Sequence, residues 1–229
     1  MALVTIFCSS AVAQSTSSDS EIQASSEVDF NIELPSHIRV LAFTGMDQGL
    51  DFPYRQSYAS AALGYLFKPI VKSHVRNIDP DKEHYLVFGG GYEFLQTVQS
   101  GKVESENRVT IEATPGFRFA EEILLRDRNW IEMRWIDGAY STTYRNELTV
   151  EREFLVRGLR FSPYVSVEFF YGGANHSRNQ EWYTAGVEWP YKRLLRFDTY
   201  YRRENCNSCK PGIWNVTGVT LNFYFQRRN

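Results

Sequence analysis

The chain has 229 residues, with 25 Lys and Arg against 27 Asp and Glu, for a net charge of −2. No basic block and no aromatic–basic interleaving accompany that balance, which excludes a nucleic-acid binder. The longest apolar run, Ala2–Cys8, is too short for a spanning helix, and no repeat of fixed period is present, so the length fits one large all-β domain.

The first residues have the form of an export signal. Ala2–Cys8 is a short apolar core, and Ala11-Val12-Ala13 gives a small-x-small cleavage pattern before Gln14. Residues 1–13 are therefore expected to be a signal peptide without the usual positive start. Residues 14–26 are Ser, Thr, Asp, Glu and Gln with little apolar content, which predicts a flexible lead-in. The remaining span, 27–229, is expected to be one barrel.

From there the chain alternates. A strand sends successive side chains to opposite faces, so alternation of apolar and polar residues predicts strands with one greasy and one polar face. Val28–Leu34 is an optional first strand, and Lys68-Pro69 could divide Arg55–Arg76 in two. Leu86, Phe88, Tyr92 and Phe94 oppose Gly89, Gly91 and Glu93; Gly89-Gly90-Gly91 lies mid-strand and is no phosphate loop. Val109, Ile111, Ala113, Phe117 and Phe119 oppose Thr110, Glu112, Thr114 and Arg118. Pro115 interrupts that ladder and predicts a bulge. Ile131, Met133 and Trp135 oppose Glu132 and Arg134. In Thr143–Phe154, Arg145, Glu147, Thr149 and Glu151 share a face; Tyr144, Leu148 and Val150 share the other, with Asn146 and Arg152 as unexplained polar exceptions. The last strands pair Pro163, Val165, Val167 and Phe169 with Glu168; Tyr183, Ala185, Val187 and Trp189 with Glu188; Leu195, Phe197, Thr199 and Tyr201 with Arg196, Asp198 and Arg202; and Val219, Leu221, Phe223 and Phe225 with Thr220 and Asn222.

A soluble β-sandwich also alternates. Two features favour a transmembrane barrel. Aromatics make up 15% of the chain and gather near strand ends, as girdles at two membrane interfaces require. The polar faces carry both charge signs on neighbouring strands, as a closed interior requires. The mean hydropathy of −0.39 is no obstacle, because half of every barrel strand faces inward. Short connections at Arg126–Asn129, Leu155–Leu159 and Pro190–Arg193 and long ones at Gln96–Glu106, Gly172–Gln180 and Arg203–Ile213 fit periplasmic turns and outer loops. The expected fold is thus an antiparallel β-barrel of about ten strands beginning near His37, with twelve as the alternative and both ends on the periplasmic side.

Several stretches resemble an uncharacterised bacterial outer-membrane barrel family known only as a domain of unknown function. They are Asp127-Arg128-Asn129 before Ile131–Trp135, Tyr144–Arg152, Pro163-Tyr164 with Glu168–Tyr171, Tyr183–Pro190, and the closing Gly218–Phe225. The likeness spans about Tyr85 to Phe225 and implies an outer-membrane barrel with no catalytic residue carried over. The tail Gln226-Arg227-Arg228-Asn229 departs from the aromatic ending of such barrels.

The inward charges are the main candidate site: Glu112, Arg118, Glu132, Arg134, Arg145, Glu147, Glu168, Glu188, Arg196, Asp198 and Arg202. They read either as a salt-bridged plug or as a narrow polar, porin-like pore. Cys206 and Cys209 lack the partners of a zinc site and the βαβ setting of a redox pair, which leaves a local disulfide or free thiols. No metal, cofactor or enzyme activity is expected. The expected partners are outer-membrane lipids and the barrel assembly machinery of a Gram-negative cell. The competing reading is a lipid hydrolase with His176, Ser177 and Glu181 in an outer loop; the other histidines, His37, His74 and His84, lie near strand ends.

Overall fold

In the computed structural model, residues 20–34, 37–67, 82, 85–119, 123–172, 177–191, 194–207, 209 and 212–226 are described, and nearly all of them are extended. The strands are β1 (Ser20–Leu34), β2 (Ile38–Gly49), β3 (Tyr54–Phe67), β4 (Leu86–Gln99), β5 (Lys102–Phe119), β6 (Ile123–Ile136), β7 (Ala139–Arg152), β8 (Phe154–Val156), β9 (Leu159–Gly172), β10 (Ser177–Tyr191), β11 (Leu195–Cys206) and β12 (Ile213–Gln226). Strand β8 prolongs β7 across Glu153: Glu151 faces Tyr164 and Phe154 faces Phe161 in one continuous register.

The other eleven strands close into a barrel, each antiparallel to its neighbours in sequence. The ring closes between β1 and β12, from Ser20 opposite Ile213 to Glu33 opposite Gln226, and this pair is parallel. An odd number of alternating strands forces one such pair. The barrel is as expected, and its count of eleven falls between the ten and twelve read from alternation. A consequence is that β1 begins at one end, the mouth, while β12 finishes at the other, the base. The expectation that both ends share a side is overturned by the added β1.

That strand also corrects the lead-in. Residues 20–26 form the first half of β1, paired with β12 on one side and β2 on the other. Their polarity reflects the lumen rather than bulk water: Gln23 and Ser25 are buried inside while Ile22 points out. Residues 1–13 and the rest of the lead-in lie outside the described residues.

Two connections also move. Arg126–Asn129 is no turn but part of β6, paired with β7 through Arg126 opposite Thr149 and Asn129 opposite Asn146. Asp127 and Asn129 put polar groups on the outer face there, so apolar alternation failed as a signal. Gln96–Glu106 is mostly ladder, turning only at Ser100-Gly101. Ser100-Gly101, Asp137-Gly138 and Arg157-Gly158 each hold positive φ at both residues (50° and 80°, 47° and 88°, 52° and 82°), the two-residue hairpin that matches strand twist. Pro115 does not make a bulge. The β5–β6 ladder loses its pairs beside Pro115, then resumes in the same register, with Ala113 opposite Asn129 and Gly116 opposite Arg126. The ladder does shift in β10, between Arg178 and Gln180.

The two faces differ in kind. Leu63, Tyr65, Phe67, Phe88, Ile111, Phe117, Ile131, Val165, Trp189, Phe197, Val219 and Phe225 are exposed on the outside. Glu132, Glu168, Glu188, Glu204, Thr220 and Asn222 are buried within. Three inward tyrosines lie flat on glycines directly opposite them: Tyr58 on Gly45, Tyr164 on Gly186, and Tyr200 on Gly218. A Cβ at any of these glycines would overlap the ring. Glycine here lets a large side chain lie along the wall and frees the lumen axis.

Gly218→Val should therefore drive Tyr200 off the wall and lower the stability of the folded barrel by ~1–3 kcal/mol, as overpacking does. Urea unfolding in lipid vesicles would measure it, and Tyr200→Ala in the same chain should recover part of the loss.

Candidate functional site

The inward side chains surround a cavity of about 670 Å³ that runs from Tyr54, Trp214 and Cys209 at the mouth down to Glu188 and Arg196. Alternation explains why these residues are here: every second residue of each strand must face the axis. A charged group inside is then removed from bulk water and needs a partner.

On the wall formed by β4 to β11 the partners form a chain. Glu132, 2% exposed, accepts from Arg145 at 2.6 Å, from Arg108 at 3.3 Å and from the Trp130 indole at 3.2 Å. Arg108 also reaches Glu93 at 3.1 Å and Glu106 at 3.0 Å, and Arg134 binds Glu106 at 2.6 Å. Arg145 donates to Glu168 at 2.6 Å. Rings hold the guanidinium planes in place. Arg145 lies 4.4 Å from the ring centres of both Trp130 and Phe170, and Arg202 lies 4.2 Å from Trp182 while binding Glu204 at 2.7 Å. Arg128 sits 4.3 Å over the other part of this stack, on Trp130, and binds Glu112 at 2.6 Å.

The facing wall, from β1, β2 and β3 with Tyr164 of β9 and Asp198 of β11, is rich in carboxylates and hydroxyls. Tyr58 donates to Glu27 at 2.9 Å and Tyr164 to Asp198 at 3.0 Å, with Asp29 and Asp47 lining the same side. At the mouth Trp214 packs edge-on against Phe52 and Tyr54, which stack on each other, with ring centres 5.0–5.6 Å apart. Cys206 and Cys209 are joined in a disulfide beside them.

The base is closed differently. Lys82, 3% exposed, binds Glu151 at 2.7 Å and also pairs with Glu188, and Arg118 donates to the Lys82 carbonyl at 2.8 Å. Leu66, Val87 and Leu124 point inward at the same end and are buried. Arg196 approaches Glu188 at 3.4 Å.

Of the charges read from the sequence, Glu132, Arg134, Arg145, Glu168 and Arg202 fall in the stacked chain, Glu112 binds Arg128, and Glu147 lines the cavity. Glu188, Arg196 and Arg118 belong to the base, and Asp198 to the opposite wall. That set leaves out Glu93, although alternation places it on a polar face, and misses Glu106, Arg108, Arg128, Glu204, Glu27, Asp29, Asp47 and Lys82. Along the chain Arg128, Glu106 and Asp29 read as part of a turn, a loop and an optional strand; parity in a longer strand finds them. Nothing in the sequence signals that Lys82 enters the barrel. His176 of the hydrolase reading lies outside the described residues, and Glu181 faces outward, accepting from Tyr183.

The fold and lumen define a closed β-barrel with a charge-paired interior. Residues 55–212 match the family described as Protein of unknown function (DUF2490), and the chain belongs to that family. The match bears out the resemblance to a barrel family of unknown function. No curated protein matches the chain.

Removing Glu132 leaves two guanidinium groups without their central acceptor. Glu132→Ala should cost ~3–5 kcal/mol, the range for orphaning a buried ion-pair partner. Arg160→Ala, which breaks the exposed pair to Glu153, should cost only ~0–1 kcal/mol. Parallel urea titrations of the refolded variants would check the contrast.

Proposed function

We propose that this chain is a bacterial outer-membrane barrel that admits a small polar solute into its lumen from the mouth. The carrying observation is the inversion of its faces, apolar and aromatic outside and charged within. A water-soluble protein would gain nothing from an outer surface of Leu63, Phe88, Phe117, Ile131, Val165 and Val219, whereas acyl chains cover it at no hydration cost.

The distribution of rings supports the same reading. Toward the base Tyr65, Phe67, Phe119, Trp189, Tyr191 and Phe225 are exposed; toward the mouth Tyr92, Trp135, Tyr140, Tyr171, Tyr183 and Tyr201 are. Several of the second group turn their hydroxyls toward the mouth: Tyr92 binds Asn107 and Tyr201 binds Asn215, both at 2.6 Å. Amphipathic rings with one wet end suit a membrane interface. Beyond them the outer face becomes polar, with Arg55, Gln96, Ser105, Asn107, Arg203 and Asn215. The strands, at 12–18 residues, outrun the 9–11 that a tilted span needs, so the mouth stands in water.

The lumen reads as a pocket. Its guanidinium groups are bound to carboxylates and rings, which leaves a rigid polar compartment, and Lys82 with Leu66, Val87 and Leu124 fills the base. No side chain is assigned a catalytic role. Outer-membrane lipids would be its surroundings, the assembly machinery would insert it, and a leader at 1–13 would export it.

Fractionation of cells should find the protein in the outer membrane, retained after washing with high salt; recovery in the soluble periplasm would overturn the reading. In planar bilayers the native barrel should stay silent over many insertions, because its base is filled. Discrete current steps from the native chain would replace the pocket with a through-pore.

A further inference from the structure

The outer face of β6 and β7 carries a polar cluster where the lipid-facing belt should be apolar. Asp127, Asn129, Tyr144 and Asn146 point outward there, with Asn129 directly opposite Asn146. The Asn146 amide donates to Asp127 at 2.6 Å and to Asn129 at 3.1 Å, and the Tyr144 hydroxyl donates to Asn129 at 2.6 Å. Exposed Ile131, Leu148, Val150 and Phe117 surround the cluster on the same face, so it lies inside the belt and not at its rim. Tyr144 marks the oddity. Tyr92 and Tyr201 turn their hydroxyls toward the mouth, but Tyr144 turns its own toward the base, into the belt.

Among the described residues Asp127 takes one side-chain hydrogen bond, from Asn146, and no ion pair. A carboxylate and two amides facing acyl chains are unfavourable, and lipid tails offer no donor. Headgroups lie at the wrong depth. The group that can answer them is another protein surface in the same plane.

We propose that this cluster is the contact of a homodimer, in which the β6–β7 face of one barrel meets the same face of a second copy. This rests on the membrane reading above. Two barrels inserted in the same direction are related by a two-fold axis along the membrane normal, so residues of equal depth meet. The cluster can pair with itself: the Asn146 amide and the Tyr144 hydroxyl donate within one copy, but the Asn129 amide, which donates once to the Asp127 carbonyl at 3.0 Å, has a second N–H for a carboxylate or amide oxygen of the other copy. Small side chains beside it, Ala113 and Pro115 on β5, let the two walls approach.

The test uses the full-length protein in native outer membranes. A photo-crosslinking amino acid at Val167, next to the cluster, should give a product of twice the monomer mass, and the same group at Ala42 on the far wall should not. The triple variant Asp127→Leu, Asn129→Leu, Asn146→Leu should keep the heat-modifiable gel mobility of a folded barrel while its Val167 product falls at least tenfold. A folded variant that still crosslinks, a product with a different protein, a dimer through Ala42, or no product at either position would each overturn the dimer. Those results leave the membrane reading standing, since that falls only if the chain is soluble.

Discussion

The constraint on which the structure depends is that an extended backbone must bond to a neighbour on both sides. A sheet meets it everywhere only by closing. Closure turns one face of every strand into an interior, and that interior is too narrow for bulk water to solvate eleven strands' worth of side chains. The charge pairing, the stacked guanidinium groups and the tyrosines laid on glycines all answer that confinement. The parallel β1–β12 seam answers it too: an eleventh strand completes the circle at the expense of one less favourable pairing.

The lumen network is better understood as a device for uniqueness than for stability. Burying Arg108, Arg145 and Glu132 costs desolvation that their mutual attraction roughly offsets. What the network provides is a single arrangement. Arg108 and Arg145 are fixed by carboxylates on neighbouring strands, and Arg145, Arg128 and Arg202 also by a ring above or below, so a slip of one residue would place charges on the outer face. Register and interior chemistry thereby specify each other. The same logic separates the two ends. The mouth is ringed by aromatic side chains and a disulfide and stays accessible, whereas the base is sealed by a lysine drawn in from the connection between β3 and β4.

The outside is not uniform, and the departure on β6 and β7 has a meaning. Asn146, which breaks the alternation of β7, is joined by Asp127 and Asn129 from the neighbouring strand into one hydrogen-bonded group. Three positions that look like noise or a turn along the chain are a single surface feature once β6 and β7 lie side by side. On the proposed membrane reading, a polar cluster set among Ile131, Leu148, Val150 and Phe117 gives the outer face a direction.

The period-two alternation by itself determined the barrel class and the facing of most strands after Leu86, because side-chain direction in a strand is a local property of the backbone. Of the three tight turns it bracketed Arg157-Gly158 within Leu155–Leu159, spread Ser100-Gly101 over a long loop and left Asp137-Gly138 unmarked. It offered the second half of the first strand, Val28–Leu34, only as an option and did not reach the first half, whose outward Ala24 and Ser26 are small and whose inward Gln23 and Ser25 are too polar to distinguish from a solvated segment. Nor could it locate Arg126 and Arg128 in a strand whose outer face is itself polar. Which charges meet, that Lys82 occupies the base, that β1 joins β12 in parallel, and that the polar outer residues cluster were decided by the tertiary structure alone. Each of those depends on the stagger between strands far apart in sequence, and closure, rather than any local preference, sets that stagger.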